Sequence, residues 1–182
     1  ADSASISKNI VVDIPIVADA KLAIEKLLEY VSPSKAEKWL EQVTEWKKAN
    51  PINMDKYEGL TPEKVIRYIN ENIKHPIVAT DVGQNQLWTT QYLELESNHQ
   101  FLTSGGLGTM GYGFPAAIGA QIGNPDKTVI AISGDGGMQM NIQEFATAVA
   151  LELPLILIVF NNGYLGNVRQ WQELFFNKRY SS

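Results

Sequence analysis

The chain has 182 residues, 45% of them hydrophobic and 19% charged, which is enough for one hydrophobic core and part of a second. Its net charge of −5, without any dense cluster of Lys and Arg, disfavours nucleic acid as a partner. There is no cysteine, which excludes disulfides, thiolate zinc sites and cysteine nucleophiles, and the longest apolar run, residues 153–160, is too short to cross a bilayer. We therefore expect a globular protein of the reducing cytoplasm, without nucleic acid or membrane partners.

The first residues predict one strand and two helices. A β-branched run over residues 10–17 predicts the strand. Apolar residues at helical spacing over residues 18–31 predict a helix directly after it. Ser34 and Glu37 have the spacing of a capping box, which predicts the start of a second helix over residues 35–48.

A third helix is predicted after a glycine-containing turn. The second helix should end at Asn50-Pro51, because proline cannot continue a helix. Thr61 as N-cap and Pro62 at the first helical position predict a third helix that extends to residue 73. We place the main domain boundary between residues 31 and 59.

From His75 onward, short apolar runs alternate with glycine-rich turns and helical stretches. Four of the runs predict strands, over residues 76–81, 100–104, 127–133 and 153–160. Two stretches predict helices, over residues 113–123 and 141–152. This alternation is typical of an α/β fold in which a parallel sheet has helices on both faces and a ligand crevice at the carboxyl ends of its strands.

Two loops follow the last two predicted strands, Gly134-Asp135-Gly136 and Asn161-Asn162-Gly163. In neighbouring parallel strands, Asp135 and Asn162 emerge at the same edge of the sheet and face one ligand. A carboxylate and an amide oxygen suit Mg²⁺, which commonly also binds substrate phosphates. Gly136 and Gly137 lack side chains, so a diphosphate can approach their N–H groups near the helix predicted from Asn141. Each loop alone is typical of an ordinary turn, and only the combination indicates a site.

The two loops resemble the signature of the thiamine diphosphate enzymes. The segments DVGQNQLW, SGGLGTMGYGFPAAIGA, GDGGMQMNIQEF and LGNVRQWQELF together resemble the catalytic subunit of the acetolactate (acetohydroxyacid) synthase family. The resemblance implies a thiamine diphosphate- and Mg²⁺-binding domain over residues 60–182, truncated at its C-terminus. It also implies the tail of an α/β middle domain over residues 1–31 and a helical linker over 32–59. Because the chain begins at Ala1 rather than at methionine, we expect a fragment of a three-domain enzyme.

The resemblance implies roles for individual residues. In the family, an aspartate, an asparagine and a backbone carbonyl hold Mg²⁺ on the cofactor, and here these are Asp135, Asn162 and the carbonyl of Tyr164. Met110 matches the residue that supports the bent shape of the cofactor, and Trp171 matches a tryptophan beside the second-substrate site. The remaining residues expected to contact the cofactor are Gln84, Asn85, Gly108, Gly134, Gly136, Gly137, Leu165 and Gly166.

Two positions depart from the pattern of the family. Asn85 replaces the usual histidine, but an amide can still donate a hydrogen bond, so the diphosphate site is altered rather than lost. Asn167 replaces the usual methionine and changes the wall of the substrate pocket. As isolated residues, Met110 and Trp171 would more often belong to a core than to a binding site.

The resemblance implies an acetolactate synthase, which uses thiamine diphosphate to decarboxylate pyruvate and transfers the two-carbon unit to pyruvate or 2-oxobutyrate in branched-chain amino acid biosynthesis. It also implies FAD, a homodimer or higher homo-oligomer, and a regulatory small subunit. The activating glutamate of the family comes from an amino-terminal domain that we do not recognise here. We therefore expect no catalytic residue in these 182 residues and no activity from them alone.

Other hypotheses stay open. The chain is compatible with another thiamine diphosphate-dependent 2-oxoacid decarboxylase or carboligase, and with a non-catalytic binding module. Residues Gly106–Gly111 also spell G-x-G-x-x-G, a dinucleotide-binding fingerprint. That hypothesis is disfavoured, because the preceding strand is weak and Asp126 falls in a turn, where the fingerprint requires an acidic residue at the end of a strand.

Overall fold

The computed structural model describes residues 2–97 and 100–182. Contacts divide the chain into two units, Ala1–Ile52 and Asn53–Ser182. Across the described residues, the helices and strands are α1 (Ala20–Leu28), α2 (Glu37–Ala49), α3 (Pro62–Asn72), β1 (Ile77–Thr80), α4 (Gln84–Tyr92), β2 (Phe101–Thr103), α5 (Gly113–Gly123), β3 (Val129–Gly134), α6 (Asp135–Met140), α7 (Phe145–Ala150), β4 (Ile156–Phe160) and α8 (Gly166–Phe175). None of these helices has the length and apolar character needed to cross a membrane.

The first unit contains helical elements but no strand within residues 2–52. The strand predicted over residues 10–17 is wrong, and every side chain in that run is exposed. A β-branched run becomes a strand only when a second strand pairs with its backbone groups, and the described part of this unit offers none. The following helix, α1, is shorter than predicted and begins where the Asp19 carboxylate accepts the N–H groups of Lys21 and Leu22, at 3.0 and 3.2 Å.

Helix α2 confirms the second predicted helix but not its cap. The N-cap is Ala36, and no side chain bonds to the first backbone N–H groups. The predicted capping box of Ser34 and Glu37 is wrong because Glu37 is the first helical residue, whereas the motif requires it at the third. The predicted end is confirmed, since the N–H group of Asn50 closes the helix on the Trp46 carbonyl at 3.0 Å.

The second unit is organised around a four-stranded parallel sheet, which confirms the predicted α/β fold. The strand order is β2-β1-β3-β4, and all three neighbouring pairs are parallel. In the register, Ala131 of β3 lies between Ala79 of β1 and Leu157 of β4. β3 is buried along almost its whole length, whereas Ile156 and Val159 of the edge strand β4 are each 40% exposed.

Helices cover both faces of this sheet because alternate strand residues point to opposite sides. One core cluster contains Ile77, Ala79, Phe114, Ala117, Ile118, Val129, Ala131, Met138 and Ala148, and it packs the sheet against α5, α6 and α7. The other cluster contains Ile69, Val78, Ile130 and Ile132, on the face that α3 covers. The sheet is therefore the middle layer of a three-layer unit, as the predicted fold requires.

Helix starts in the second unit follow the prediction in one case and not in another. Helix α3 begins as predicted, with the Lys64 N–H group bonded to Thr61 Oγ1 at 3.3 Å and Pro62 in the first turn. The helix after β3 begins at Asp135 and not at Asn141. The predicted helix over residues 141–152 is instead a short 3₁₀ turn followed by α7. Gly136 and Gly137 thus belong to the first helical turn that leaves the sheet.

Candidate functional site

A cavity of about 200 Å³, here called the strand-end cavity, opens at the carboxyl ends of β1, β3 and β4. This is the edge at which open parallel sheets bind ligands. The cavity brings together all of the residues predicted to contact the cofactor or metal, which are Gln84, Asn85, Gly108, Met110, Gly134, Asp135, Gly136, Gly137, Asn162, Tyr164, Leu165 and Gly166. They come from four separate segments of the chain, so the fold and not local sequence assembles them.

Asp135 and Asn162 lie on adjacent loops because β3 and β4 are neighbours. Gly134, the last residue of β3, pairs with Phe160 at the end of β4. The Gly163 N–H group donates to Asp135 Oδ2 at 3.1 Å, and the Tyr164 N–H group donates to Asn162 Oδ1 at 3.0 Å. The prediction that the acidic loop and the double-amide loop emerge at one edge is confirmed. A carboxylate from one loop and an amide oxygen from the other are thereby held at the same edge of the sheet.

Gln84, the first residue of α4, connects β1 to the same loop. Its Oε1 accepts a hydrogen bond from Asn162 Nδ2 at 3.4 Å, and its Nε2 donates to Gln170 Oε1 at 3.3 Å. Gly166 packs so closely on Gln84 that a Cβ atom there would overlap the Gln84 side chain. These contacts direct the amide nitrogen of Asn162 to Gln84 and its oxygen to the Tyr164 turn.

Met110 reaches the cavity from the turn between β2 and α5. A Cβ atom on Gly136 would lie 2.8 Å from Leu165 Cδ2 and 3.8 Å from Met110 Cε. Gly136 therefore leaves open a space that any side chain would fill. Met110 and Leu165 contribute apolar surface to the cavity, and the loops of Asp135 and Asn162 contribute polar groups.

Asn85 is buried in the cavity wall, with 4% of its surface exposed. Its Oδ1 has no hydrogen-bond partner among the described residues. Its Nδ2 lies beside two glycines that also line the cavity, 3.2 and 3.3 Å from where Cβ atoms of Gly83 and Gly134 would be. Buried polar groups are normally hydrogen-bonded, so this amide is suited to a ligand that completes its bonding.

Several residues of the cavity were not singled out from the sequence. The wall also contains Val82, Gly83, Trp88, Phe160 and Val168. Trp88 and Phe160 meet edge-on, with ring centroids 5.7 Å apart. Helix α4 was not predicted, and this hid Trp88, which lies four residues after Gln84 on the same helical face.

Trp171 lies outside the strand-end cavity. It is on α8, 61% exposed, with its ring 5.2 Å from that of Phe175. It lines a second cavity of about 680 Å³ at the surface. Asn167 and Val168 line both cavities, so the two adjoin along one turn of α8.

Arg169 links the Tyr164 loop to the residues after α8. Its guanidinium lies 3.9 Å from the centroid of the Tyr164 ring and 5.3 Å from that of Tyr180. Its hydrogen bond to Glu173, at 3.0 Å, and its contact with Tyr164 raise the pKa of Arg169. The same bond, together with one from the Tyr180 hydroxyl, lowers the pKa of Glu173, and the bond to Glu173 raises the pKa of Tyr180. The Arg169–Glu173 pair therefore stays ionised at neutral pH.

The metal donors in the strand-end cavity differ from a carboxylate-rich cluster. Across residues 2–97 and 100–182, no group of three or more His, Cys, Asp and Glu side chains could hold a metal ion. The predicted Mg²⁺ site does not depend on such a group, because its donors are one carboxylate, one amide oxygen and one backbone carbonyl. Mg²⁺ is commonly bound in this way, with few carboxylates and the phosphates of a ligand.

Comparison with known proteins identifies the family. Residues 81–182 match the family described as thiamine pyrophosphate enzyme, C-terminal TPP binding domain. This chain belongs to that family. The match begins at the end of β1 and includes every residue of the strand-end cavity, so the cavity belongs to the TPP binding domain. The resemblance predicted from the sequence motifs is thereby confirmed.

Several relatives of this chain are named as acetolactate synthase large subunits. It is 42% identical, over its whole length, to the probable acetolactate synthase large subunit of Methanococcus aeolicus. Over 99% of its length it is 39% identical to the acetolactate synthase isozyme 3 large subunit of Escherichia coli (strain K12) and 39% identical to the acetolactate synthase large subunit of Cyanidium caldarium. The chain spans about a third of the length of these relatives.

Proposed function

We propose that this chain is the cofactor-binding part of an acetolactate synthase, which decarboxylates pyruvate and transfers the two-carbon unit to a second 2-oxoacid, pyruvate or 2-oxobutyrate. The observation that carries the proposal is the strand-end cavity, in which the Asp135 carboxylate and the Asn162 loop meet through the 3.1 Å bond from Gly163. The names of the relatives support this activity more than other reactions of thiamine diphosphate enzymes.

Mg²⁺ would be held by Asp135, Asn162 and the backbone carbonyl of Tyr164. The residues fit this role, because Gln84 takes the nitrogen of the Asn162 amide and leaves its oxygen as the metal donor. Among residues 2–97 and 100–182, Asn162 Oδ1 accepts only the Tyr164 N–H group and so keeps a second lone pair. A donor set with a single negative charge leaves one of the two positive charges of Mg²⁺ to be balanced by a diphosphate.

The diphosphate would lie against the glycines of the cavity. Gly134, Gly136, Gly137 and Gly166 expose backbone at places where a side chain would meet a neighbour. Gln84 and Asn85 supply amide groups from α4, and Gly108 and Leu165 complete the wall. Asn85 fits the role, because it is a buried amide with an unsatisfied polar atom in the wall of the cavity.

Bound thiamine diphosphate supplies a carbanion and an electron sink for decarboxylation. The residues of this chain orient it and shape its surroundings. Met110 would support the middle of the cofactor opposite the diphosphate-binding loops, and the apolar wall of Met110 and Leu165 would keep water from the reacting end. No side chain here needs to act as a nucleophile, and the activating glutamate would come from another domain or subunit.

Trp171 would form a wall of the site for the second 2-oxoacid, since its cavity adjoins the strand-end cavity at Asn167 and Val168. In the full-length enzyme, replacing Trp171 with Leu should change the preference between pyruvate and 2-oxobutyrate several-fold, with less effect on cofactor affinity, because the ring acts locally. Competition assays with both acceptors measure this. An equal loss of acceptor preference and cofactor affinity would contradict the role.

The proposal extends to the remaining features that the family resemblance implies. We place the enzyme in branched-chain amino acid biosynthesis in the cytoplasm, as a homodimer or higher homo-oligomer with FAD and a regulatory small subunit. A second candidate is another thiamine diphosphate-dependent 2-oxoacid decarboxylase or carboligase. Asn85 and Asn167, which depart from the synthase pattern, favour it. Analysis of the products that the full-length enzyme forms from pyruvate separates the two candidates, because acetolactate supports the synthase and acetaldehyde alone supports a decarboxylase.

The test is calorimetric titration of the purified protein with thiamine diphosphate and Mg²⁺. We expect Asp135→Ala and Asn162→Ala each to weaken Mg²⁺-dependent binding by about tenfold or more, because each removes a donor to a cation that dehydrates reluctantly. Asp126→Ala is the matched control, since it removes an exposed carboxylate from a turn outside the cavity. Unchanged affinity in both site variants would contradict the proposed metal site.

A further inference from the structure

Asp81 is a buried carboxylate that lies beneath the strand-end cavity without lining it. It directly follows β1 and is 1% exposed. Within residues 2–97 and 100–182 it forms no ion pair, and backbone N–H groups satisfy it instead. Val82 and Gly111 donate to Oδ1 at 2.9 and 3.0 Å, and Gly113 donates to Oδ2 at 2.9 Å. Because burying a polar group is costly unless its hydrogen bonds are complete, these donors must stay in place.

Glycines from two other segments pack directly on Asp81. A Cβ atom on Gly113 would lie 2.5 Å from the Asp81 backbone nitrogen. A Cβ atom on Gly137, in the first turn of α6, would overlap the Asp81 carboxylate. The carboxylate thus contacts the turn before α5, the first residue of α5, and α6 at once. Met110 is in this turn and Gly136 is in α6, and both line the cavity.

The turn held by Asp81 is fixed from its other side by Asn141. Asn141 Nδ2 donates to the Gly111 carbonyl at 2.7 Å, while the Gly111 N–H group donates to Asp81. Gly111 has φ of +86°, which side-chain-bearing residues rarely adopt. Both polar backbone groups of the residue next to Met110 are therefore held by side chains that do not line the cavity.

We propose that Asp81 and Asn141 are positioning residues that together hold the turn of Gly111 so that Met110 stays across from Gly136. The part of this inference that concerns thiamine diphosphate rests on the proposed function. Asp81 and Asn141 touch neither the expected cofactor space nor the metal donors. Their effect passes through Met110.

The first test needs no cofactor. It measures hydrogen exchange in the purified protein and its variants. The exchange ratio is the exchange rate of the amides in residues 108–113 divided by that of the amides in residues 129–133. Asp81→Asn leaves a side-chain N–H facing a backbone N–H, and Asn141→Ala removes the bond to Gly111. We expect the ratio to rise at least tenfold in each variant. Ile69→Ala, on the opposite face of the sheet, is the control matched for lost stability, and its ratio should stay unchanged.

The second test separates positioning from general destabilisation. In the full-length enzyme that contains this chain, we expect Asn141→Ala and Asp81→Asn to lower kcat for acetolactate formation at least tenfold, with the Kd for thiamine diphosphate and Mg²⁺ within threefold of the parent. A parent protein that binds no thiamine diphosphate would contradict the proposed function, while the exchange ratio would still decide the positioning role. An unchanged exchange ratio in Asn141→Ala, or the same rise in Ile69→Ala, would overturn the inference, even if Asp81→Asn fails to fold.

Discussion

The two units of the chain contain the same kind of β-branched run but fold it differently. The run over residues 76–81 contains β1, whose four residues Ile77–Thr80 are all buried, whereas residues 10–17 form no strand and are exposed. β1 has partners on both sides, β2 and β3, and the described part of the first unit contains no strand at all. Local pattern therefore proposes a strand, but pairing with distant residues decides it.

The largest expected difference between the units is in core packing. Ile130→Ala should lower the free energy of unfolding by about 2–5 kcal/mol, because Ile130 is 0% exposed at the centre of the sheet. Leu28→Ala in the first unit should change it by less than about 0.5 kcal/mol, because Leu28 is 65% exposed. Urea denaturation of both variants measures this. Equal losses would show that the first unit has a core of its own.

The next effect concerns close approach of backbone segments in the second unit. Gly113→Ala should cost about 3 kcal/mol, because its Cβ atom would meet the backbone of β1, which cannot move without breaking the sheet. Gly119→Ala, in the same helix with no atom within 4 Å of its Cβ position, should instead stabilise by about 0.5–1 kcal/mol. Thermal and urea unfolding of the two variants measures this. A change of stability in the same direction for both would contradict the close packing of Gly113 on β1.

A smaller effect compares the helix caps of the two units. Thr61→Ala should cost about 1 kcal/mol, because it removes the acceptor for the Lys64 N–H group. Ser34→Ala should have almost no effect, because α2 has no side-chain cap. If urea denaturation shows a loss of similar size for Ser34→Ala, the capping box predicted from the sequence forms in solution.

The smallest effect is a pH dependence within the second unit. Burial raises the pKa of Glu63, but hydrogen bonds from Arg67 and from the Met54 N–H group outweigh it, and the net pKa lies below the ordinary 4.5. A lowered folded-state pKa adds stability above the unfolded-state value, and this stability is lost as pH falls through the folded-state value. Glu63→Gln should therefore cost about 0.5 kcal/mol at pH 7, and the cost should shrink as pH falls below about 4.5.

The pH test is a series of urea denaturations of the parent and of Glu63→Gln. Its control is Glu71→Gln on the same helix, where the side chain is exposed. A cost for Glu63→Gln that stays constant down to pH 3 would contradict the ionised pair.

Sequence reasoning predicted the features that depend on short-range chemistry. Thr61 and Pro62 marked the start of α3 because a cap involves residues only three apart. Asp135 and Asn162 were placed together because parallel strands direct their ends to one edge. The Asp135 helix start was missed because Gly136 and Gly137 disfavour a helix locally. Glycine is needed at both positions because a Cβ atom would collide with Leu165 or Asp81, which are distant in sequence.

Asp81 shows what the sequence could not provide. Its partners Gly111 and Gly113 are 30 and 32 residues away, so the carboxylate has a function only after β1 and α5 have packed. Trp88 was hidden for a related reason, because α4 has no clear apolar face from which a helix could be predicted. The contacts of the strand-end cavity depend on the sheet order, which the four predicted strands alone did not specify.

The central claim is that Asp135 places a divalent metal on the diphosphate of a bound cofactor in the strand-end cavity. Electron–nuclear double resonance of the protein loaded with Mn²⁺ and thiamine diphosphate tests it directly, because Mn²⁺ occupies similar oxygen sites. We predict strong ³¹P coupling from directly bound phosphate in the parent protein and in Asp126→Ala, and its loss in Asp135→Ala. Absence of ³¹P coupling in the parent protein, or undiminished coupling in Asp135→Ala, would contradict the claim.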